Sequence, residues 1–99
     1  MTIHYSKDGT ILTVKPEGRL DTMTSPEFER RTQPETAGMK EIIMDFEQVE
    51  YISSGGLRVL LALEQKMEDC GGSIRVIHVN DYIMEVFELT GFLDILTVE

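Results

Sequence analysis

The sequence predicts an α/β fold, a mixed sheet with an antiparallel N-terminal strand and about three helices packed on it. Three features point there. Short β-branched apolar runs alternate with longer stretches of helical periodicity. An Asp-Gly pair joins the first two runs, the signal of a hairpin. Glycine, proline or a capping side chain marks nearly every boundary between runs. The chain has 99 residues, 41% hydrophobic and 27% charged, which suits one soluble domain over residues 1–99.

Ile3 to Ser6 is the first predicted strand and Ile11 to Lys15 the second, joined by a turn over Lys7-Asp8-Gly9-Thr10. Pro16, Glu17 and Gly18 end the second strand or let it bulge. Ser25-Pro26-Glu27 has the marks of a helix start: a capping hydroxyl, a proline at the first helical position and an acid in the first turn. That helix is rich in Glu and Arg, with Phe28 as its anchor. Pro34 stops or kinks it and Gly38 closes the connection. Glu41 to Phe46 has the length and β-branched content of a buried strand, and Val49 to Ile52 is extended. Leu57, Leu60, Leu61, Leu63 and Met67 then recur at helical spacing, which predicts an amphipathic helix from about Ser54 to Cys70, ended by Gly71. Ser73 to Val79 is another strand. Asn80 or Asp81 caps a third helix holding Ile83, Met84, Val86, Phe87 and Leu89; Gly91 ends it, and Leu93 to Val98 is a last strand. The order ββαβαβαβ implies right-handed parallel crossovers, with the opening hairpin at an antiparallel edge. The six methionines read as core gap-fillers.

Charge excludes several functions. Nine Lys+Arg against 18 Asp+Glu give a formal net charge of −9. Binding to nucleic-acid phosphate needs a cationic face, and so does docking on an anionic membrane surface. No apolar run is long enough to span a bilayer, and Met1 to Thr10 lacks a basic stretch followed by an apolar one, so no signal peptide is expected. Cys70 is the only cysteine, which rules out an intrachain disulfide and suits a reducing cytoplasm. His4 and His78 lack the spacing of metal ligands and are expected to be ordinary strand residues, with Cys70 a small, partly buried filler. No nucleotide-binding loop is present, so no cofactor is expected. The carboxylates fall mostly on polar faces and give no support for paired-carboxylate catalysis.

The informative stretch is Tyr51-Ile52-Ser53-Ser54-Gly55-Gly56-Leu57-Arg58-Val59-Leu60-Leu61. Two serines stand at the mouth of a long helix, directly after an extended segment. A helix N-terminus offers unpaired N–H groups and a partial positive charge. Either hydroxyl could serve as an N-cap and nothing more. The same place is a favourable seat for a phosphate. Gly55 and Gly56 keep the surface low enough for another protein to approach the hydroxyls.

This segment resembles the signature of the STAS domain, the fold of bacterial anti-sigma factor antagonists, in which a strand ends in Asp-Ser-Ser/Thr-Gly-Leu and runs into a helix. Here the matching residues are Ser53-Ser54-Gly55-Gly56-Leu57. Glu17-Gly18-Arg19-Leu20-Asp21 resembles the family's Gly-x-Leu-Asp, and Ile42-Ile43-Met44-Asp45-Phe46 resembles its central strand. Gly71-Gly72 with Ile74-Arg75-Val76 resembles its glycine turn and next strand, and Phe87-Glu88-Leu89-Thr90-Gly91-Phe92 its last helix end. The resemblance implies a switch protein, not an enzyme. In that family the unphosphorylated antagonist binds an anti-sigma factor that is also a serine kinase of the GHKL type, and this frees a sigma factor. The kinase, holding ATP-Mg, phosphorylates the antagonist and weakens the complex; a PP2C-type phosphatase restores the serine. By position Ser54 is the phosphoacceptor and Ser53 the reserve, while Asp21, Ser53, Gly55, Gly56 and Leu57 form the partner-binding surround.

The sequence departs from the pattern at two places: Ser53 stands where the motif has aspartate, and Gly55 where it has a second Ser/Thr. Many family members continue past the last strand into another helix; a chain ending at Glu99 is expected to leave an apolar edge for a partner or for a second copy in a dimer. The alternative within the family is a non-switching interaction subunit of a phospholipid transporter or a stress-sensing scaffold. A third reading, from another class, is a domain that binds a small ligand or nucleotide or carries a weak hydrolase activity, supported only by a helix N-terminus able to hold an anion.

Overall fold

The computed structural model describes residues 1–99. In chain order the elements are β1 (Ile3–Asp8), β2 (Ile11–Pro16), β3 (Gly18–Leu20), α1 (Ser25–Thr32), a 3-10 turn (Gln33–Thr36), β4 (Glu41–Asp45), β5 (Val49–Ile52), α2 (Ser54–Asp69), β6 (Ser73–Ile77), α3 (Asp81–Thr90), a second 3-10 turn (Phe92–Asp94) and β7 (Thr97–Val98). The main sheet runs β1-β2-β4-β6-β7, antiparallel between β1 and β2 and parallel elsewhere. The predicted mixed sheet with an antiparallel N-terminal edge is therefore present. Its hairpin is tighter than expected: Asp8 pairs with Ile11, so only Gly9 and Thr10 reverse the chain.

Period-two burial explains the layering. Leu12 and Val14, Ile42 and Met44, and Ile74 and Val76 are buried on one face of β2, β4 and β6, while Thr13, Ile43 and Arg75 on the other are only half-buried. Strand order advances in one direction from β2 to β7, so right-handed crossovers bring all three helices to the same face. Phe28 of α1, Leu60, Leu63 and Met67 of α2, and Ile83 and Phe87 of α3 join the strand residues in one core of 21 buried side chains. No helix is long and apolar enough to cross a membrane.

Several local expectations change. Ser25 does not cap α1: the cap position is Thr24, and Ser25 is the first helical residue, its hydroxyl buried without a hydrogen-bond partner. The chain already turns at Asp21, whose side chain accepts from the Met23 and Thr24 N–H groups and whose carbonyl accepts from the Ser25 N–H, so the helix starts one residue earlier. Strand β6 stops at Ile77 because His78 adopts a left-handed backbone (φ 57°), where its Nδ1 lies 2.9 Å from an Asp45 carboxylate oxygen. The final strand shrinks to two residues, since a helical turn lets Phe92 and Leu96, four apart, both reach the core, with Phe92 stacked on Phe87 at 6.0 Å. Cys70 is exposed, its thiol directed at the Met67 carbonyl. Met44 and Met67 do fill the core, but Met23 stands 86% exposed.

Candidate functional site

A second, two-stranded sheet builds the site. β3 and β5 pair in parallel, with Arg19 opposite Tyr51 and Leu20 opposite Ile52. The Ser53 N–H extends the pairing by donating to the Leu20 carbonyl at 2.8 Å. The loop after β3 and the start of α2 therefore leave the sheet side by side, although some thirty residues separate them in sequence. Leu20 and Ile52 are both buried and anchor the pair from below.

Gly56 lets α2 begin where it does. A Cβ there would lie 2.7 Å from Ile52 Cγ1 and 2.8 Å from the Leu20 carbonyl oxygen, closer than any side chain tolerates. Gly55 is less constrained: its Cβ would meet Thr22 Cα and Ser25 Oγ at 3.5 Å, an ordinary contact. The two serines divide the remaining work. Ser53 is the N-cap, extended at φ −105°, its hydroxyl accepting from the Gly55 N–H at 3.2 Å. Ser54, the first helical residue, is exposed and its hydroxyl is not committed to the cap.

Asp21 is held rigidly beside them. One of its carboxylate oxygens accepts from the N–H groups of Met23 and Thr24, each at 3.0 Å, and its carbonyl accepts from the Ser25 N–H. The Thr24 hydroxyl closes the loop by donating to the Arg19 carbonyl at 2.6 Å. The Thr24 N–H, with those of Met23 and the nearby Arg19 guanidinium, stabilises the ionised carboxylate and holds its pKa below the ordinary value. Asp21 is thus an anion at neutral pH, fixed in position.

Of the residues singled out from sequence, Asp21, Ser53, Ser54 and Gly55 share this surface. Gly56 and Leu57 lie beneath it, both buried, and support it by packing. Sequence reasoning missed a set of neighbours. Arg19 lies over the Tyr51 ring, 4.1 Å from its centroid, and its Nε is 3.6 Å from Asp21; Tyr51 in turn stacks on Tyr82 of α3 at 5.8 Å. The β3–β5 register sets Arg19 against Tyr51, and the packing of α3 on β5 adds Tyr82; no local pattern announces either. Arg58 was missed as well, although helical spacing places it one turn beyond Ser54; it reaches across to Glu29 of α1 at 3.4 Å. No group of three or more His, Cys, Asp or Glu side chains is placed to hold a metal ion.

The STAS domain family matches residues 2–99. The chain belongs to the STAS domain family. The anti-sigma-B factor antagonist of Staphylococcus aureus is 31% identical over 86 residues, covering 86% of this chain and 80% of that protein. BtrV of Bordetella bronchiseptica is 34% identical over 61 residues, 62% of this STAS domain but only 53% of BtrV. Among solved structures, the anti-sigma factor antagonist SpoIIAA in its unphosphorylated form superimposes with a TM-score of 0.76 at 15% identity, covering 99% of this chain and 87% of that one. The shared architecture extends to the antiparallel opening hairpin and the three helices on a mixed sheet.

Proposed function

We propose that this STAS domain is a cytoplasmic anti-sigma factor antagonist, with residues 1–99 forming a single domain. Its unphosphorylated form binds an anti-sigma factor that is also a GHKL-type serine kinase, and the sigma factor is released. The kinase transfers the γ-phosphoryl of ATP to the Ser54 oxygen, releasing ADP and the hydroxyl proton. A PP2C-type phosphatase hydrolyses the ester and resets the switch. The observation that carries this reading is the division of labour between the serines. Ser53 caps the helix, so Ser54 stands exposed and uncommitted on the first turn, which packs against the loop that carries Asp21.

The physics of the off state is simple. A phosphate adds about −1.5 to −2 charge and three acceptor oxygens to a chain already at −9. The N-terminus of α2 tolerates an anion, so the fold need not melt. SpoIIAA is known in both forms, and this chain matches the phosphorylated one with a TM-score of 0.75, against 0.76 for the unphosphorylated one. A change confined to surface charge acts directly on a partner that had packed against a neutral hydroxyl. Asp21 orients the acceptor and contacts the partner, with Ser53 and Gly55 at the rim.

The test is incubation with the genomically linked serine kinase and ATP-Mg, followed by intact mass and peptide mapping. One added phosphate on the peptide containing Ser53 and Ser54, lost in Ser54→Ala and retained in Ser53→Ala, supports the assignment. An active kinase that leaves the wild-type protein unmodified refutes the phospho-switch and moves a permanent interaction role to the front.

A further inference from the structure

Two exposed arginines belong to the elements that build this surface, Arg19 on β3 and Arg58 on α2. Arg19 lies with its guanidinium over the Tyr51 ring at 4.1 Å and its Nε 3.6 Å from Asp21. Arg58 is 60% exposed and kept in place by one contact, 3.4 Å from a Glu29 oxygen. Arg58 also follows Ser54 by four residues on the same helix, so the two side chains lie one above the other on one face. An anion at the earlier position with a cation four residues later is the more favourable of the two orders. A single exposed ion pair such as Arg58–Glu29 contributes little and is easily exchanged. A phosphate monoester carries more charge than a carboxylate and offers three oxygens to a guanidinium fork.

Resting on the assignment of Ser54 as phosphoacceptor, we propose that Arg58 is the internal counter-cation of the phosphorylated residue and leaves Glu29 to take up that role. Phosphorylation then changes the surface twice. The phosphate appears on α2, and the Glu29 carboxylate on α1 loses its partner. The ionisable groups on the elements around this helix start are Arg58 on α2, Glu29 on α1, Asp21 on the loop after β3 and Arg19 on β3; of these only Arg58 is a cation on the same helix, one turn from Ser54. The device also gives phosphoserine 54 a fixed orientation that a phosphatase can recognise.

The test uses full-length protein with phosphoserine placed at position 54 during translation, so it needs no kinase. Its outcome is independent of whether a kinase modifies Ser54, and the two ideas fail separately. Phosphorus NMR follows the second ionisation of the phosphate with pH. The expected midpoint in the wild-type protein lies about 0.3–0.5 unit below that in Arg58→Gln. A second readout is the Arg58 side-chain N–H resonance. Glu29→Gln should shift it in the unmodified protein and leave it unmoved in the phosphorylated one. Equal midpoints in wild type and Arg58→Gln would mean that the helix terminus alone carries the phosphate, and would overturn the proposal. So would an Arg58 resonance that still responds to Glu29→Gln after phosphorylation.

Discussion

The two ends of α2 both carry a glycine doublet, a neighbouring backbone pressed close and a nearby cation. At the C-terminal end the backbone closes on itself, although the Cys70 side chain stays exposed. The Gly71 N–H, at φ 78°, donates to the Glu68 carbonyl and the Gly72 N–H to the Met67 carbonyl at 2.7 Å, which closes the helix in a Schellman arrangement. Lys40 takes the Cys70 carbonyl at 3.2 Å. At the N-terminal end Ser53 performs the corresponding closure, but the structure does not stop there. It adds a second, exposed hydroxyl at Ser54, a carboxylate locked at Asp21 and a loosely held Arg58. The C-terminal end is closed by backbone groups, whereas the N-terminal end is closed by a side chain and sets a second, uncommitted hydroxyl beside it. The N-terminal end is the one proposed to carry the switch, and its Ser53-Ser54 pair is what sets it apart in sequence from the Cys70 end.

The doublets offer the sharpest way to break the comparison. Gly56→Ala and Gly72→Ala each drive a Cβ against a carbonyl, of Leu20 at 2.8 Å and of Lys40 at 2.5 Å. Each is expected to lower unfolding free energy by about 2–3 kcal/mol in urea titrations. Gly55→Ala meets only ordinary contacts and gains helix propensity, so it should be neutral or stabilising by up to about 0.5 kcal/mol. A similar loss at both positions of the first doublet would contradict the ordinary contacts described for Gly55, and no loss at Gly56 would contradict its close packing.

The serines should separate next. Ser53→Ala removes the cap and is expected to cost about 1 kcal/mol, while Ser54→Ala should leave stability within about 0.5 kcal/mol. The reverse order would reassign the cap and return Ser54 to a structural role. Ser25→Ala sharpens the same point on α1. A capping Ser25 predicts a loss of about 1 kcal/mol, whereas the buried, unpaired hydroxyl of the structure predicts no loss or a small gain in thermal midpoint.

The smallest effect concerns Asp21. Its folded pKa lies below the ordinary 3.8, so the ionised carboxylate stabilises the fold at pH above 3.8. That contribution is lost as pH falls from there through the folded value. Asp21→Asn keeps an acceptor for the Met23 and Thr24 N–H groups but has no proton to gain. Its urea midpoint should therefore fall less than that of the wild type between pH 6 and pH 3.

Much of this was legible in the sequence because it is local. Hydrophobic period placed α2, α3 and the buried strands, and the Gly71 and Gly91 stops lie where expected. Asn80 is the cap of α3, its side chain accepting from the Ile83 N–H at 2.8 Å. The five motifs in order were enough to recognise the family. What escaped was non-local. β3 is three residues long and acquires its strand character only from β5, so neither the second sheet nor the Arg19–Tyr51–Tyr82 stack could be read from either segment alone. Leu93 to Val98 looked like a strand because its β-branched run has no mark showing that Phe92 and Leu96 need a helical turn to share the core.

The most direct measurement is the affinity of the cognate anti-sigma factor for this chain with serine, and then with phosphoserine, at position 54. The account predicts tight binding of the unmodified protein and at least a hundredfold loss with phosphoserine, about 3 kcal/mol, with circular dichroism spectra that superimpose. Equal affinities for the two forms would contradict it.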